Sequence, residues 1–301
     1  MWIFFALASQ FSNAMETAVD KIAIVGNKTI DSLCATFLRI GMYLLLFGLL
    51  GISGIVGQMH IFLPWPVVVI GIFCAGVSLC YTYFLKHIEA TAASVVSYAA
   101  PFLYLIIDSL IVKAHLTPFQ AFGIILMTVG GLLFVIDPKK LQIKKEITLV
   151  VWLMLFYNFI VGAAEYYGFK YYFNNYHINE VTYGFSVWLI SLAVLFLVIL
   201  FSAKTKMLFS TIARRPRFLG ALTLSKSFDA AQWWLYLHSL SLATVSQVSA
   251  TAELYPLMLI IVIYIAQNLF KLKAEERFSQ GHLAFKLAAV VLLCVGGLMI
   301  R

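Results

Sequence analysis

The sequence predicts an all-α integral membrane protein: ten transmembrane helices arranged as two inverted five-helix repeats. Composition is the first reason. Of 301 residues, 62% are hydrophobic and only 11% charged, with a mean hydropathy of +0.95, whereas a soluble domain carries about 25% charged residues. Second, the apolar residues fall into ten stretches long enough to cross a bilayer core, which takes about 20 residues of helix. Third, the halves share a charge pattern inside apolar sequence. Glu16, Lys21 and Asp31, at intervals of 5 and 10, return as Glu165, Lys170 and Glu180 with one offset of 149. Charges inside a membrane helix cost roughly 2.5–3.5 kcal/mol each on insertion scales, so keeping them twice points to duplication and to a functional interior. For Lys21 and Lys170 a plainer reading stands beside this one: each ends its helix at the headgroups. The two glutamates lie deeper.

The spans read as 2–25, 30–56, 66–86, 89–113, 117–137, 147–169, 180–203, 216–241, 243–270 and 281–300. The first begins at Trp2 without a basic leader, so it reads as a retained span and not as a cleaved signal. Pro64 and Pro66 bracket the break before the third, Thr117-Pro118 opens the fifth as a cap with proline at the first helical position, and Asp137-Pro138 closes it. The organisation is then a first repeat over 1–137, a basic linker over 138–146 and a second repeat over 147–301. Ser94-Val95-Val96-Ser97 pairs with Ser246-Gln247-Val248-Ser249, each ahead of a proline (Pro101, Pro256), and Val129-Gly130-Gly131-Leu132 pairs with Val295-Gly296-Gly297-Leu298. The offset drifts upward along the repeat, which places insertions around Asn268–Gln280. Five helices are an odd number, so a tandem copy must be inverted; inverted repeats of this kind build alternating-access transporters with a site near the midplane. Cys34, Cys74, Cys80 and Cys294 lie in apolar runs without metal-ligand spacing and read as small buried hydrophobes.

Polar residues within the spans form stripes, because positions i, i+3, i+4 and i+7 share a helix face. The first span has Ser9, Asn13, Glu16 and Asp20; its counterpart in the sixth is Asn158, Gly162, Glu165 and Phe169. These two helices are expected to face each other across the repeat interface, where paired acids bind a cation, carry a proton or both, or else hydrogen-bond neighbouring helices structurally. The eighth span has Lys226, Asp229, Trp233 and Tyr236. Lys226 and Asp229 are spaced to pair, which lowers the cost of both, and Trp233 sets an aromatic face beside them that suits a cation or a flat ligand. Glu253 precedes Pro256, where a lost backbone donor bends helices, and suits a proton-coupling role. Asp108 and Arg39 are single charges whose own spans offer no partner stripe. Tyr166, Tyr167, Tyr171 and Tyr172 fit an interfacial aromatic belt, and His177, His238 and His282 stand apart from one another.

Small-residue fourth and ninth helices with a proline, and Gly-Gly in the fifth and tenth, resemble the drug/metabolite transporter superfamily. Its EamA-like branch is the nearest: Ala90–Pro101 followed by Phe102, and Gly123–Ile136, look like the fourth and fifth helices of one EamA repeat. The Trp-Gly pair common in that family's first helix is absent from Leu7–Ser12, and Lys113-Ala114-His115-Leu116 replaces its usual Gly-Glu-Arg turn. The resemblance implies a ten-helix transporter in a superfamily that moves amino acids, nucleotide sugars, drugs and other metabolites.

The net charge of +8 is read for orientation and not for nucleic acid. Lys139, Lys140, Lys144 and Lys145, then Lys204, Lys206, Arg214, Arg215 and Arg217, then Lys271, Lys273 and Arg277 follow the fifth, seventh and ninth spans. The positive-inside rule puts those loops in the cytoplasm and both termini outside, whereas the superfamily usually keeps both termini inside. With no nucleotide-binding loop, HExxH or GxSxG motif, the expected function is secondary active transport. The expected solute is a small polar or amphipathic metabolite, an amino acid or related, moved by alternating access with proton coupling or exchange in the cell's inner membrane. No cofactor, metal or nucleic acid is expected; the partners are the solute and the lipid bilayer. The alternatives are a non-transporting membrane scaffold or sensor and an intramembrane enzyme.

Overall fold

The computed structural model describes residues 1–25, 30–52, 59–87, 100–113, 116–135, 149–255 and 283–300, with 258–259, 261–262 and 265 besides. Every regular element among them is helical. In the first half these are α1 (Trp2–Val25), α2 (Ser32–Ile52), α3 (Trp65–His87), α4 (Ala100–Ile107) and α5 (Pro118–Val135). The second half has α6 (Leu149–Tyr176), α7 (Glu180–Phe201), α8 (Thr205–Arg214), α9 (Pro216–Leu242), α10 (Val245–Ala250) and α11 (Leu283–Met299). The linker at 138–146, the motif at 94–97, Pro256 and the insertion at 268–280 lie outside the described residues.

Local chemistry sets the boundaries. Thr117 and Gln120 cap each other reciprocally, side chain to backbone, at 3.2 and 3.0 Å, and Pro118 begins α5 as expected. Asp31 Oδ1 accepts from the backbone N–H groups of Leu33 (3.0 Å) and Cys34 (3.4 Å) and so starts α2. Asn179 accepts from Thr182 N at 2.7 Å to start α7, and Thr244 with Gln247 forms a capping box ahead of α10. Helix ends use left-handed residues: Lys113, His177 and Ala203 all have φ of 54°.

Three differences from the sequence reading stand out. The sixth span runs on to Tyr176, seven residues past its expected end. The fourth passes into a π-helical turn at Asp108–Val112, and α10 into a 3₁₀ turn at Thr251–Leu254. Finally α8 is a helix in its own right where a loop was expected, with Leu208 and Thr211 buried on one face and Lys206, Ser210 and Arg214 exposed at four-residue spacing.

Helices of one half pack mainly on helices of the other. α1 lies against α9, α3 against both α6 and α7, α2 against α7 and α9, α4 against α10 and α5 against α11. The last pair meets through glycine: a Cβ on Gly123 would stand 2.8 Å from Gly296 O, and one on Gly296 would stand 2.6 Å from Gly123 O. Three described helices are long and apolar enough to cross a membrane: Ser32–Leu49, Trp65–Tyr83 and Glu180–Phe201. The long helices α1, α6 and α9 carry the interior polar residues that lower their hydropathy.

Candidate functional site

One cavity of about 250 Å³ opens between α1, α2, α3, α6, α7 and α9. Its position follows from the stripes. Glu16 comes from α1, Asn158, Gly162 and Glu165 from α6, and Lys226, Asp229, Trp233 and Tyr236 from α9. Both glutamates thus line one space although their helices do not pack on each other: α1 is backed by α9 and α6 by α3. Asp20 lies one turn beyond the wall, fully buried. Asn13 is half-buried and is not in the wall, and Phe169, last of its stripe, is packed in the core. Glu253 has its backbone in the 3₁₀ turn after α10; its side chain lies outside what is described.

The charged part of the wall is a network. Lys226 Nζ meets Glu16 Oε1, Asp229 Oδ2 at 2.7 Å and Asp20 Oδ2 at 3.5 Å. Arg39 on α2 joins it. Its Nε donates to Asp20 Oδ2 at 2.9 Å, its Nη2 lies 3.2 Å from Glu16 Oε1, and its guanidinium carbon sits 4.5 Å from the Tyr81 ring centroid. Ser225 Oγ donates to the remaining Asp20 oxygen. Sequence reasoning set Arg39 aside because α2 holds no partner; the partners stand on α1. A lone guanidinium in an apolar span was the available signal, since buried charges are kept only when paired.

Glu165 differs. Its Oε1 is buried with no hydrogen-bond partner, and it forms no ion pair among the described residues. Three other wall residues also keep a buried polar atom unpartnered: Tyr43 Oη, Asn158 Oδ1 and Trp188 Nε1. Buried polar atoms are normally satisfied, and leaving one unmet costs about 1–3 kcal/mol. All four belong to residues that line this one cavity.

Aromatic rings close the opposite side. Tyr166 lies 5.0 Å from Tyr236 and 6.3 Å from Trp233, and Trp188 packs edge-on to Trp233 at 5.7 Å. Tyr166 therefore belongs to the interior and not to an interfacial belt. So does Tyr167, which donates to Asp108 Oδ1 at 3.1 Å; Tyr171 and Tyr176 are the exposed ones. Asp108 also receives Ser246 N at 2.8 Å, joining α4 to α10.

The other members of the repeated charge triad serve elsewhere. Lys170 donates to the Leu240 and Ala243 carbonyls at the end of α9, the former at 3.4 Å. Asp31 pairs with Lys204 at 2.8 Å, and Glu180 with His238 at 3.1 Å, each acid at the start of its helix. Among the described residues no group of three His, Cys, Asp or Glu side chains is placed to hold a metal.

The described helices thus enclose a charged, aromatic-walled cavity. Residues 1–136 match the EamA-like transporter family, which belongs to the drug/metabolite transporter superfamily; the resemblance read from the sequence is thereby borne out. Proteins of this family are integral membrane proteins and transporters, not enzymes. A solved crystal structure superposes with a TM-score of 0.68 at 15% identity, over 98% of this chain and 94% of that one, a likeness that shows the fold alone. No curated protein sequence matches the chain.

Proposed function

We propose that the chain is a secondary active transporter whose solute is a small amine-bearing metabolite, cationic or zwitterionic, such as an amino acid. One observation carries this reading: among the described residues Glu165 stands in the cavity wall without a cation, while Glu16, Asp20 and Asp229 are paired. A positive charge from outside, an ammonium group or a proton, completes it. The aromatic faces of Tyr166, Trp233 and Tyr236 suit the same ammonium, since a desolvated cation over such rings gains about 2 kcal/mol. At about 250 Å³ the cavity is small beside drug-sized sites of about 300–1,000 Å³, which favours a metabolite.

The mechanism fits alternating access between two inverted five-helix repeats, 1–137 and 147–301 joined by the linker 138–146, in the cell's inner membrane. The exchange of packing partners supports that topology. α1 on α9 mirrors α6 on α3, and α2 on α9 mirrors α7 on α3, as a two-fold axis in the membrane plane requires. Glu165 is placed to bind solute or proton in turn; Glu253 remains the second candidate for coupling.

The test is uptake of a panel of amino acids and amines into proteoliposomes, with and without an imposed pH gradient. Saturable uptake that Glu165→Gln abolishes supports the reading. Binding without uptake would favour the alternative of a membrane sensor, and uptake indifferent to Glu165→Gln would overturn the assignment of the amine.

A further inference from the structure

The faces of α8 are divided. Leu208, 4% exposed, packs into the cluster of Ile30, Cys34, Ile199, Phe218 and Leu222, so the helix is held against the ends of α2, α7 and α9. Lys204, paired with Asp31, ties its start to the start of α2. Beside Leu208, three apolar side chains face outward: Met207, Phe209 and Ile212 are 44%, 68% and 40% exposed. On the opposite face Lys206, Ser210 and Arg214 recur every four residues, all exposed, and exposed Arg217 at the start of α9 extends the stripe.

A helix with exposed apolar flanks and a basic polar face is the form that lies in a membrane interface, its apolar residues at the acyl boundary and its cations among the headgroups. Continuity identifies the surface it meets. The last turns of α7 leave Leu197, Val198, Leu200 and Phe201 exposed, the last by 88%, so the adjoining face is the bilayer itself. We infer that α8 is an anchor for anionic phospholipid, with Phe209 seated at the acyl boundary and Lys206, Arg214 and Arg217 holding phosphate groups.

The anchor also orients the protein. Anionic lipid is concentrated in the cytoplasmic leaflet, so the α8 end, with the start of α2, faces the cytoplasm. Trp2, at the other end of α1, then lies on the far side. This agrees with the distribution of Lys and Arg and inverts the usual orientation of the superfamily.

The experiment takes the full chain in neutral detergent and counts bound phosphatidylglycerol and phosphatidylcholine by native mass spectrometry. The wild type should retain phosphatidylglycerol preferentially. The Lys206→Gln/Arg214→Gln/Arg217→Gln variant should lose that preference by about fivefold per charge removed, the equivalent of about 1 kcal/mol each, with an unchanged melting temperature. Arg214→Lys/Arg217→Lys should keep it, because phosphate attraction needs charge and not the guanidinium shape. A triple variant that binds phosphatidylglycerol like wild type overturns the proposal. So does loss of preference in the lysine variant, which would indicate an arginine-specific protein partner. For orientation, Ser210→Cys should add labelling by an impermeant maleimide in inside-out vesicles; added labelling only in right-side-out vesicles overturns that part.

Discussion

Glu16 and Glu165, 149 residues apart in sequence, line the same cavity, yet among the described residues only Glu16 is paired. It faces Lys226 and Arg39, the latter at 3.2 Å, while Glu165 keeps Oε1 without a partner. The offset of 149 relates the two carboxylates in sequence, and α2 and α9 supply cations to Glu16. Glu16 belongs to the ion-pair network, and Glu165 lines the cavity outside it. The two positions should therefore respond differently to the same substitution.

Glu165→Gln should leave thermal stability near wild type, because no ion pair is broken, and should weaken binding of an amine solute by about tenfold or more, roughly 1.4 kcal/mol per tenfold. Glu16→Gln should lower stability by several kcal/mol, since removing one member of a buried ionic group costs about 3–5 kcal/mol. Melting curves and solute titrations of both variants in detergent check this; equal loss of stability would place the two acids in one structural role.

Lys226 answers to three carboxylates, and that changes what a double substitution can rescue. Lys226→Met leaves Asp229 without a cation and leaves Glu16 and Asp20 to share Arg39. Adding Asp229→Asn should recover little, because Asp229 is the more exposed partner, at 18% against 7% for Glu16. Adding Glu16→Gln should recover more. A double-mutant cycle on each pair measures the difference, and a larger coupling for Asp229 would reverse this ordering.

The contact between α5 and α11 tolerates no side chain at Gly296, where a Cβ would meet Gly123 O at 2.6 Å and Met127 N at 3.0 Å. Backbone cannot step aside as a side chain can, so Gly296→Ala should destabilise by about 1–3 kcal/mol, the usual range for overpacking. Gly220 on α9 has open space where a methyl group would sit, with nothing within 4 Å, and Gly220→Ala should stabilise by roughly 0.5–1 kcal/mol through helix propensity. Thermal melts of the two variants should move in opposite directions.

At the α8 end, burial pushes the Asp31 carboxyl up, but its bonds to Lys204 and to the backbone N–H groups of Cys34 and Leu33 outweigh this and hold it below the ordinary range. A carboxyl depressed on folding stabilises the fold above its unfolded pKa, about 3.9, and that contribution is lost as pH falls through the folded value. Asp31→Asn should therefore lower stability at neutral pH, modestly because the pair is partly exposed, and should converge with wild type in acid. A constant difference across pH would show that the ion pair is not its source.

The sequence by itself determined the class of fold and much of the cavity wall. Charges inside apolar spans are costly, so Glu16, Glu165, Lys226 and Asp229 announced themselves, and helical periodicity aligned Asn158 with Glu165 and Trp233 and Tyr236 with the ion pair. Capping chemistry likewise placed the start of α5 at Thr117-Pro118. Only the tertiary structure decided who partners whom. Arg39 looked solitary because its acids lie on a different helix, and nothing in a matched offset could reveal that Glu16 would be neutralised and Glu165 left open. Tyr43, Tyr81 and Trp188 enter the wall for the same reason: none belongs to a stripe that pairs an acid with a base on its own helix, and packing sets them in the wall. Periodicity is a property of one helix, whereas charge pairing and cavity lining arise between helices, from the crossing and rotation that only packing sets.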